Sequence, residues 1–227
     1  MSTLASALQS VRARIDRAAR AAGRDASEIQ LLAVSKTWPA SHLREAWQAG
    51  QRAFGENYAQ EGVQKIGQLS DLPIEWHFIG PLQSNKTRAI AESFAWVHSV
   101  DREKIAARLS AARAPNLPPL HVCLQVNVSG EASKGGVAPE DACRLALAVA
   151  ALPHLRLRGL MAIPQPEREE PAKRHWFRVL RELKDRICAE GLALDTLSMG
   201  MSDDIEAAVL EGATIVRVGT AIFGPRR

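Results

Sequence analysis

The sequence is short of tyrosine, cysteine and long apolar runs, and each shortage removes a class of protein. A single Tyr and five Phe stand among 29 basic residues without interleaving with them. No base-stacking surface is laid out, and non-specific nucleic-acid affinity stays a minor alternative. Cys123, Cys143 and Cys188 are odd in number and widely spaced. They offer neither a disulfide framework nor a metal pattern, and the expected home is a reducing cytoplasm. The N-x-[ST] matches at Asn85 and Asn127 therefore carry no glycosylation meaning. No apolar run approaches the roughly 18 residues that span a bilayer, so no membrane association is expected. The N-terminal stretch is an amphipathic helix pattern without the apolar region of a secretory signal, and Asp16 favours a surface helix over a transit peptide. No Gly-x-Gly-x-x-Gly follows the first predicted strand, which removes the main mark of a dinucleotide fold.

What is present is an alternation. Short apolar or β-branched runs predict strands at Leu31–Ser35, Arg52–Gly55, Glu75–Ile79, Trp96–Ser99, His121–Asn127, Arg158–Ile163, Thr196–Ser198 and Thr214–Val218. Helical patterns begin near Ser41, Tyr58, Lys86, Asp101, Pro139, Glu169 and Asp203. Several open on cap signals such as Pro39-Ala40-Ser41 and Ser202-Asp203-Asp204. Strands alternating with helices predict a parallel sheet. Eight of them without a long structureless insertion favour closure into a (β/α)8 barrel over an open sheet. The additional N-terminal helix is placed to cover the barrel where the short segment after strand eight cannot. The stretches Pro115–Pro119 and Pro164–Pro171 read as loops beside strands, so residues 1–227 are expected to form one domain. A chain of this length can bury a sizeable core without staples.

In such a barrel the chemistry sits at the C-terminal ends of the strands, and the loops after strands seven and eight often bind phosphate. Here those loops read Ser198-Met199-Gly200-Met201-Ser202 and Gly219-Thr220. Glycines allow close backbone approach, and hydroxyls lie beside backbone N–H groups; the first loop runs into a predicted helix N-terminus, which favours an anion. Tight turns of small residues are the plainer alternative. The net charge of +4 also suits an anionic ligand. Closure puts strand one beside strand eight, and Lys36 directly follows the apolar run Leu31–Ser35. Most of the seven lysines are expected to be solvated surface groups. Desolvation at a strand end instead favours a neutral amine, nucleophilic toward aldehydes. A rim lysine beside a phosphate site suggests a Schiff-base aldolase or a pyridoxal-phosphate protein. Arg217, inside strand eight, has a structural salt bridge as its default reading. With pyridoxal phosphate bound it would instead donate to the pyridine nitrogen, leaving that nitrogen unprotonated. Lys86 and Lys134 read as loop charges near the mouth.

The segments LLAVSKTWPA, FGENYAQEG, EWHFIGPLQSNK, RLRGLMAIP and LSMGMSDDIEAAVLEGATIVRVGTAIFG make the chain resemble, over nearly its whole length, the YggS/PROSC family of pyridoxal-phosphate homeostasis proteins. The resemblance implies a barrel similar to the alanine racemase barrel domain, with pyridoxal 5′-phosphate held as a Schiff base on Lys36. It assigns the phosphate to Ser198, Gly200, Met201, Ser202, Gly219 and Thr220, and the ring nitrogen to Arg217. It further implies a cofactor carrier or regulator in vitamin B6 homeostasis, without an established reaction. Asn57 and His77 are further candidates to line the cofactor, each with a satisfied structural polar group as its alternative. Trp38 and Trp47 receive no function. An amino-acid racemase is the competing expectation. It is weakened because Tyr58, the single tyrosine, does not match a racemase base, and because the chain ends soon after the barrel, without a second domain. That same end makes a monomer the expectation, with apo-enzymes as transient partners.

Overall fold

The computed structural model describes residues 3–131 and 134–225. Eight parallel strands close into a barrel in chain order: β1 (Gln30–Val34), β2 (Ala53–Glu56), β3 (Glu75–Phe78), β4 (Trp96–Val100), β5 (Leu120–Gln125), β6 (Leu155–Met161), β7 (Thr196–Ser198) and β8 (Ile215–Val218). The last strand returns to the first, with Leu32 beside Arg217 and Ala33 beside Val218. All eight predicted strands form. β7 keeps its predicted limits, and the others move at one or both ends by one to three residues, most at β6, which starts at Leu155 rather than Arg158.

Side chains alternate across a strand, and a barrel turns that alternation into two cores. Leu32, Ala53, Trp96, Cys123, Met161 and Ile215 meet in the lumen. Their outward neighbours, including Leu31, Ala33, Phe54 and Leu197, pack under the helices. Continued past the strand ends, the inward set in β1 runs Leu32, Val34, Lys36. In β2 it runs Ala53, Gly55, Asn57, and in β8 Ile215, Arg217, Gly219. Strand periodicity thus delivers separate pieces of chain to one rim. The lumen also holds buried polar groups: His77, His98, Ser198 and Arg217.

Helix α1 (Thr3–Ala21) buries Leu4, Leu8, Val11, Ile15 and Ala18 along one stripe, the spacing of a helix with one apolar face. The other helices are α2 (Ala40–Gln48), α3 (Ala59–Gln68), α4 (Thr87–Ser93), α5 (Glu103–Ala112), α6 (Ala142–Ala150), α7 (Glu170–Ala189), α8 (Ile205–Leu210) and α9 (Thr220–Phe223). The segment after β8 therefore does form a helix, but one of a single turn. Helix α1 packs on α8, α9 and α2, which is the covering role expected of it. Arg14 fixes the contact, gripping both carboxylate oxygens of Glu206 at 2.8 Å and donating to the Ser202 carbonyl at 2.9 Å. No helix among the described residues is long and apolar enough to cross a membrane.

Candidate functional site

A cavity of about 220 Å³ opens at the C-terminal ends of the strands, with Lys36, Asn57, Arg217, Ser202, Gly219 and Thr220 in its wall. Residues at the ends of β1, β2 and β8 and in the loop after β7 thus meet at one place, although up to 184 positions separate them in the chain. Lys36 is half-buried. Asn57 presents a buried Oδ1 with no hydrogen-bond partner, an arrangement that costs free energy unless something else satisfies it. Gly80 lets the chain pack there, because a Cβ at position 80 would fall 2.0 Å from the Asn57 carbonyl oxygen.

Arg217 is buried, and burial brings its guanidinium down to about 10, so it stays protonated at neutral pH. Nη1 donates to the Ser198 carbonyl at 2.6 Å and to Ser198 Oγ at 2.8 Å, and Nη2 donates to the Ala162 carbonyl at 2.9 Å. These partners are neutral oxygens, in place of the salt bridge expected by default. Three of the five guanidinium N–H groups are used, which leaves two for a ligand.

The backbone on both sides of Lys36 is held from below by α3. Lys65 Nζ donates to the Ser35 carbonyl at 2.7 Å, to Glu56 Oε1 at 2.8 Å and to Glu61 Oε1 at 2.6 Å. Ser35 Oγ donates to Glu56 Oε1, and the Thr37 N–H donates to Glu61 Oε1. Thr37 has φ +69°, a conformation that costs a non-glycine residue about 1 kcal/mol and persists only where its surroundings enforce it. Burial pushes the Glu56 carboxyl up, while Lys65 and Ser35 pull it back. The sequence reading missed this group, which comes together only when α3 lies over β2.

Several expected site residues are placed differently. Ser198 is fully buried, and its hydroxyl faces the lumen, where it serves Arg217 and His98; it does not line the cavity. Gly200 also lies below the lining, at φ +93°, where an added Cβ would sit 2.5 Å from Ala208 Cβ. Met201 does line the cavity, but its N–H is taken by the Asp204 carboxylate. That carboxylate stands at the start of α8, which begins at Ile205 rather than Asp203, so one of the N–H groups expected to face an anion at this terminus is already engaged within the protein. His77 is sealed in the lumen, bonded to Glu75 and His98, which is the structural alternative. Lys86 and Lys134 lie outside the cavity wall, and Trp38, given no role from sequence, is part of it. Trp38 stacks on Phe223 of α9 with ring centres 5.8 Å apart. No metal-ligating cluster occurs among the described residues.

Residues 7–227 match the family model described as alanine racemase, N-terminal domain. A pyridoxal phosphate homeostasis protein of Pseudomonas aeruginosa is 64% identical over 226 residues, covering 100% of this chain and 97% of the relative. The chain belongs to the YggS/PROSC family of pyridoxal phosphate homeostasis proteins. A solved structure of one similar protein, PipY of Synechococcus elongatus with PLP bound, superposes with a TM-score of 0.85. It is 38% identical, over 98% of this chain and 100% of that one. Alanine racemase from Corynebacterium glutamicum, at 15% identity and TM-score 0.70, shares the fold over 96% of this chain and 61% of its own.

Within this family member, Gly200 sets the path of the loop from β7 toward Ser202. Gly200→Ala combines a left-handed backbone with a clash against α8. It is expected to cost about 2 kcal/mol, read as a lower urea midpoint with an unchanged slope. A midpoint equal to wild type would show that the loop can move aside.

Proposed function

We propose that this protein holds pyridoxal 5′-phosphate as a Schiff base on Lys36 and acts as an intracellular carrier or buffer of that cofactor. The carrying observation is the meeting of Lys36, Arg217 and the unpartnered Asn57 Oδ1 in one cavity, with the hydroxyl residues Ser202 and Thr220 in its wall. The donor set fits the group. When bound, the cofactor supplies an aldehyde, an acceptor ring nitrogen and a phosphate. A lysine amine takes the first, a guanidinium with two N–H groups to spare takes the second, and hydroxyls at the ends of β7 and β8 suit the third. An arginine opposite the ring nitrogen leaves that nitrogen unprotonated, which weakens the electron sink that a carboxylate would strengthen. This favours holding over catalysis.

The names of the relatives support the same reading, since they specify homeostasis of the cofactor. Against an amino-acid racemase, Tyr58 is exposed and lies outside the cavity wall. Three free thiols, one of them Cys123 pushed up to about 12 by burial, support a cytoplasmic setting. The large apolar residues exposed among the described ones, Tyr58, Leu147 and Met201, are too few for the extended apolar patch of a stable homodimer, which supports a monomer.

Mixing the protein with the cofactor should give a yellow imine band, and borohydride should fix the cofactor mass to the peptide that contains Lys36. A label confined to Lys86 or Lys134 would overturn the anchor. For the carrier role, reactivation of an apo-enzyme by the loaded protein is compared with free dissociation, in excess scavenger. Delivery through contact predicts transfer faster than dissociation; equal rates would leave buffering and remove delivery to apo-enzyme partners. Robust conversion of an amino acid by the loaded protein would replace the carrier with an enzyme.

A further inference from the structure

Behind Arg217 the lumen carries a line of hydrogen bonds across to β3. Ser198 Oγ stands 2.8 Å from His98 Nδ1, His98 Nε2 stands 2.9 Å from His77 Nδ1, and His77 Nε2 stands 2.8 Å from Glu75 Oε1. The bond between His98 on β4 and Ser198 on β7 joins two walls of the barrel that share no strand pairing. Each residue of the line between Glu75 and Arg217 is fully buried. Trp96 lies flat on His77, with ring centres 5.4 Å apart and planes 6° apart, which fixes the plane of that imidazole. Gln30 Nε2 donates to the same Glu75 Oε1 at 2.7 Å.

Chemistry gives this line a single direction. The Glu75 carboxyl is held down to about 2 by its bond from His77, so it is ionised at neutral pH and only accepts. His77 must therefore carry its proton on Nε2. Burial lowers both histidines from their usual value, so each is neutral and has one donor and one acceptor nitrogen. With its proton on Nε2, His77 accepts at Nδ1, and the donor can only be His98 Nε2. His98 then accepts at Nδ1, from the Ser198 hydroxyl. That hydroxyl, having spent its one proton, offers lone pairs to Arg217 Nη1. Every proton points the same way, from a buried cation to a carboxylate at the other end, and aligned bonds of this kind strengthen one another at low dielectric.

We propose that Ser198, His98 and His77 are positioning residues that, through this one-way chain, hold Arg217 in place for the cofactor ring and tie it to Glu75. The proposal rests on the reading of Arg217 as the partner of the ring nitrogen. None of the three residues lines the cavity, so they act on the cofactor only through the arginine. The lumen is an expensive place for two imidazoles, and this role accounts for both.

Two measurements test it. Long-range 1H–15N spectra of the cofactor-loaded wild type should show His77 and His98 neutral, with the proton on Nε2. An Nδ1–H form or an imidazolium at either position overturns the chain, and this readout does not depend on any variant folding. In the second, His98→Leu cuts the line two bonds from the guanidinium. It should speed cofactor release by up to about tenfold, the loss of one neutral hydrogen bond from the line that holds the guanidinium, and shift the visible absorption band. His98→Gln can still accept from Ser198 and donate to His77, and it should restore the band position. A wild-type band and release rate in His98→Leu would overturn the proposal. Borohydride labelling of Lys36 is followed in parallel. Its absence from the wild type would instead remove the parent reading, while its persistence in His98→Leu with a shifted band assigns the effect to the ring end alone.

Discussion

Replacing Lys36 by alanine is expected to remove the imine band at equimolar cofactor and to weaken binding about a hundredfold or more, since about 3 kcal/mol corresponds to two decades in Kd. What remains in Lys36→Ala is a site without its covalent anchor: Arg217 at the ring and the loop residues Ser202, Gly219 and Thr220. Such a site still recognises the anionic, aromatic outline of the cofactor, so weak reversible binding should persist. Titration by fluorescence quenching, with borohydride trapping at each concentration, separates the two contributions. Wild-type affinity with the label moved to Lys86 or Lys134 would show that the cavity is not the place of attachment. Lys36→Arg sharpens the comparison. It places a permanent positive charge at the site but forms no imine, and it should behave like the alanine variant if covalency rather than charge retains the cofactor.

How far this site could be read from sequence depends on what strand alternation fixes. A buried parallel strand is a near-continuous apolar run, so eight runs gave the barrel, and closure placed Lys36 beside Arg217, Gly219 and Thr220. Strand limits drifted where polar side chains occupy the lower rim. β6 begins at Leu155 because Leu155 and Leu157 alternate with Arg156 and Arg158, and a guanidinium there is compatible with a strand when it can lie over Trp96, as Arg158 does. Direction was harder to read than position. Ser198 ends a three-residue strand, too short for periodicity to say whether its hydroxyl faces the rim or the lumen. His77 was legible as a polar residue in a strand, but its partner His98 lies 21 positions away, and the partner of His98, Ser198, a further 100. Only closure of the barrel brings those three together. Likewise Glu61 and Lys65 are an i, i+4 pair on a helix, and the third member, Glu56, joins them only when α3 is laid over β2.

That third member leads to the largest expected loss of stability. Lys65→Met removes the ammonium that faces Glu56, whose side chain is fully buried, at 2.8 Å, and leaves Glu56 Oε2 unpartnered, as it already is, beside an Oε1 served only by Ser35. Breaking a buried pair from one side costs about 3–5 kcal/mol, because a charge stays behind uncompensated. The deficit should depend on pH with a definite sign. Burial already raises the folded-state affinity of Glu56 for a proton, and loss of Lys65 raises it further. A carboxyl whose folded value lies above its unfolded value stabilises the fold below the unfolded value, and that stability is lost as pH rises through the folded value. Urea midpoints of Lys65→Met should therefore approach wild type near pH 5 and fall away toward pH 8. The double variant with Glu56→Gln should recover much of the loss at pH 8, since the uncompensated charge is gone. A deficit that is flat with pH, or that survives in the double variant, would mean that packing of the lysine stem under Ser35, rather than charge, holds α3 to β1. Lys65 also supports the carbonyl immediately before Lys36. Its loss should therefore loosen the anchor along with the fold, and cofactor release from Lys65→Met should be faster than wild type even at pH values where the variant is fully folded.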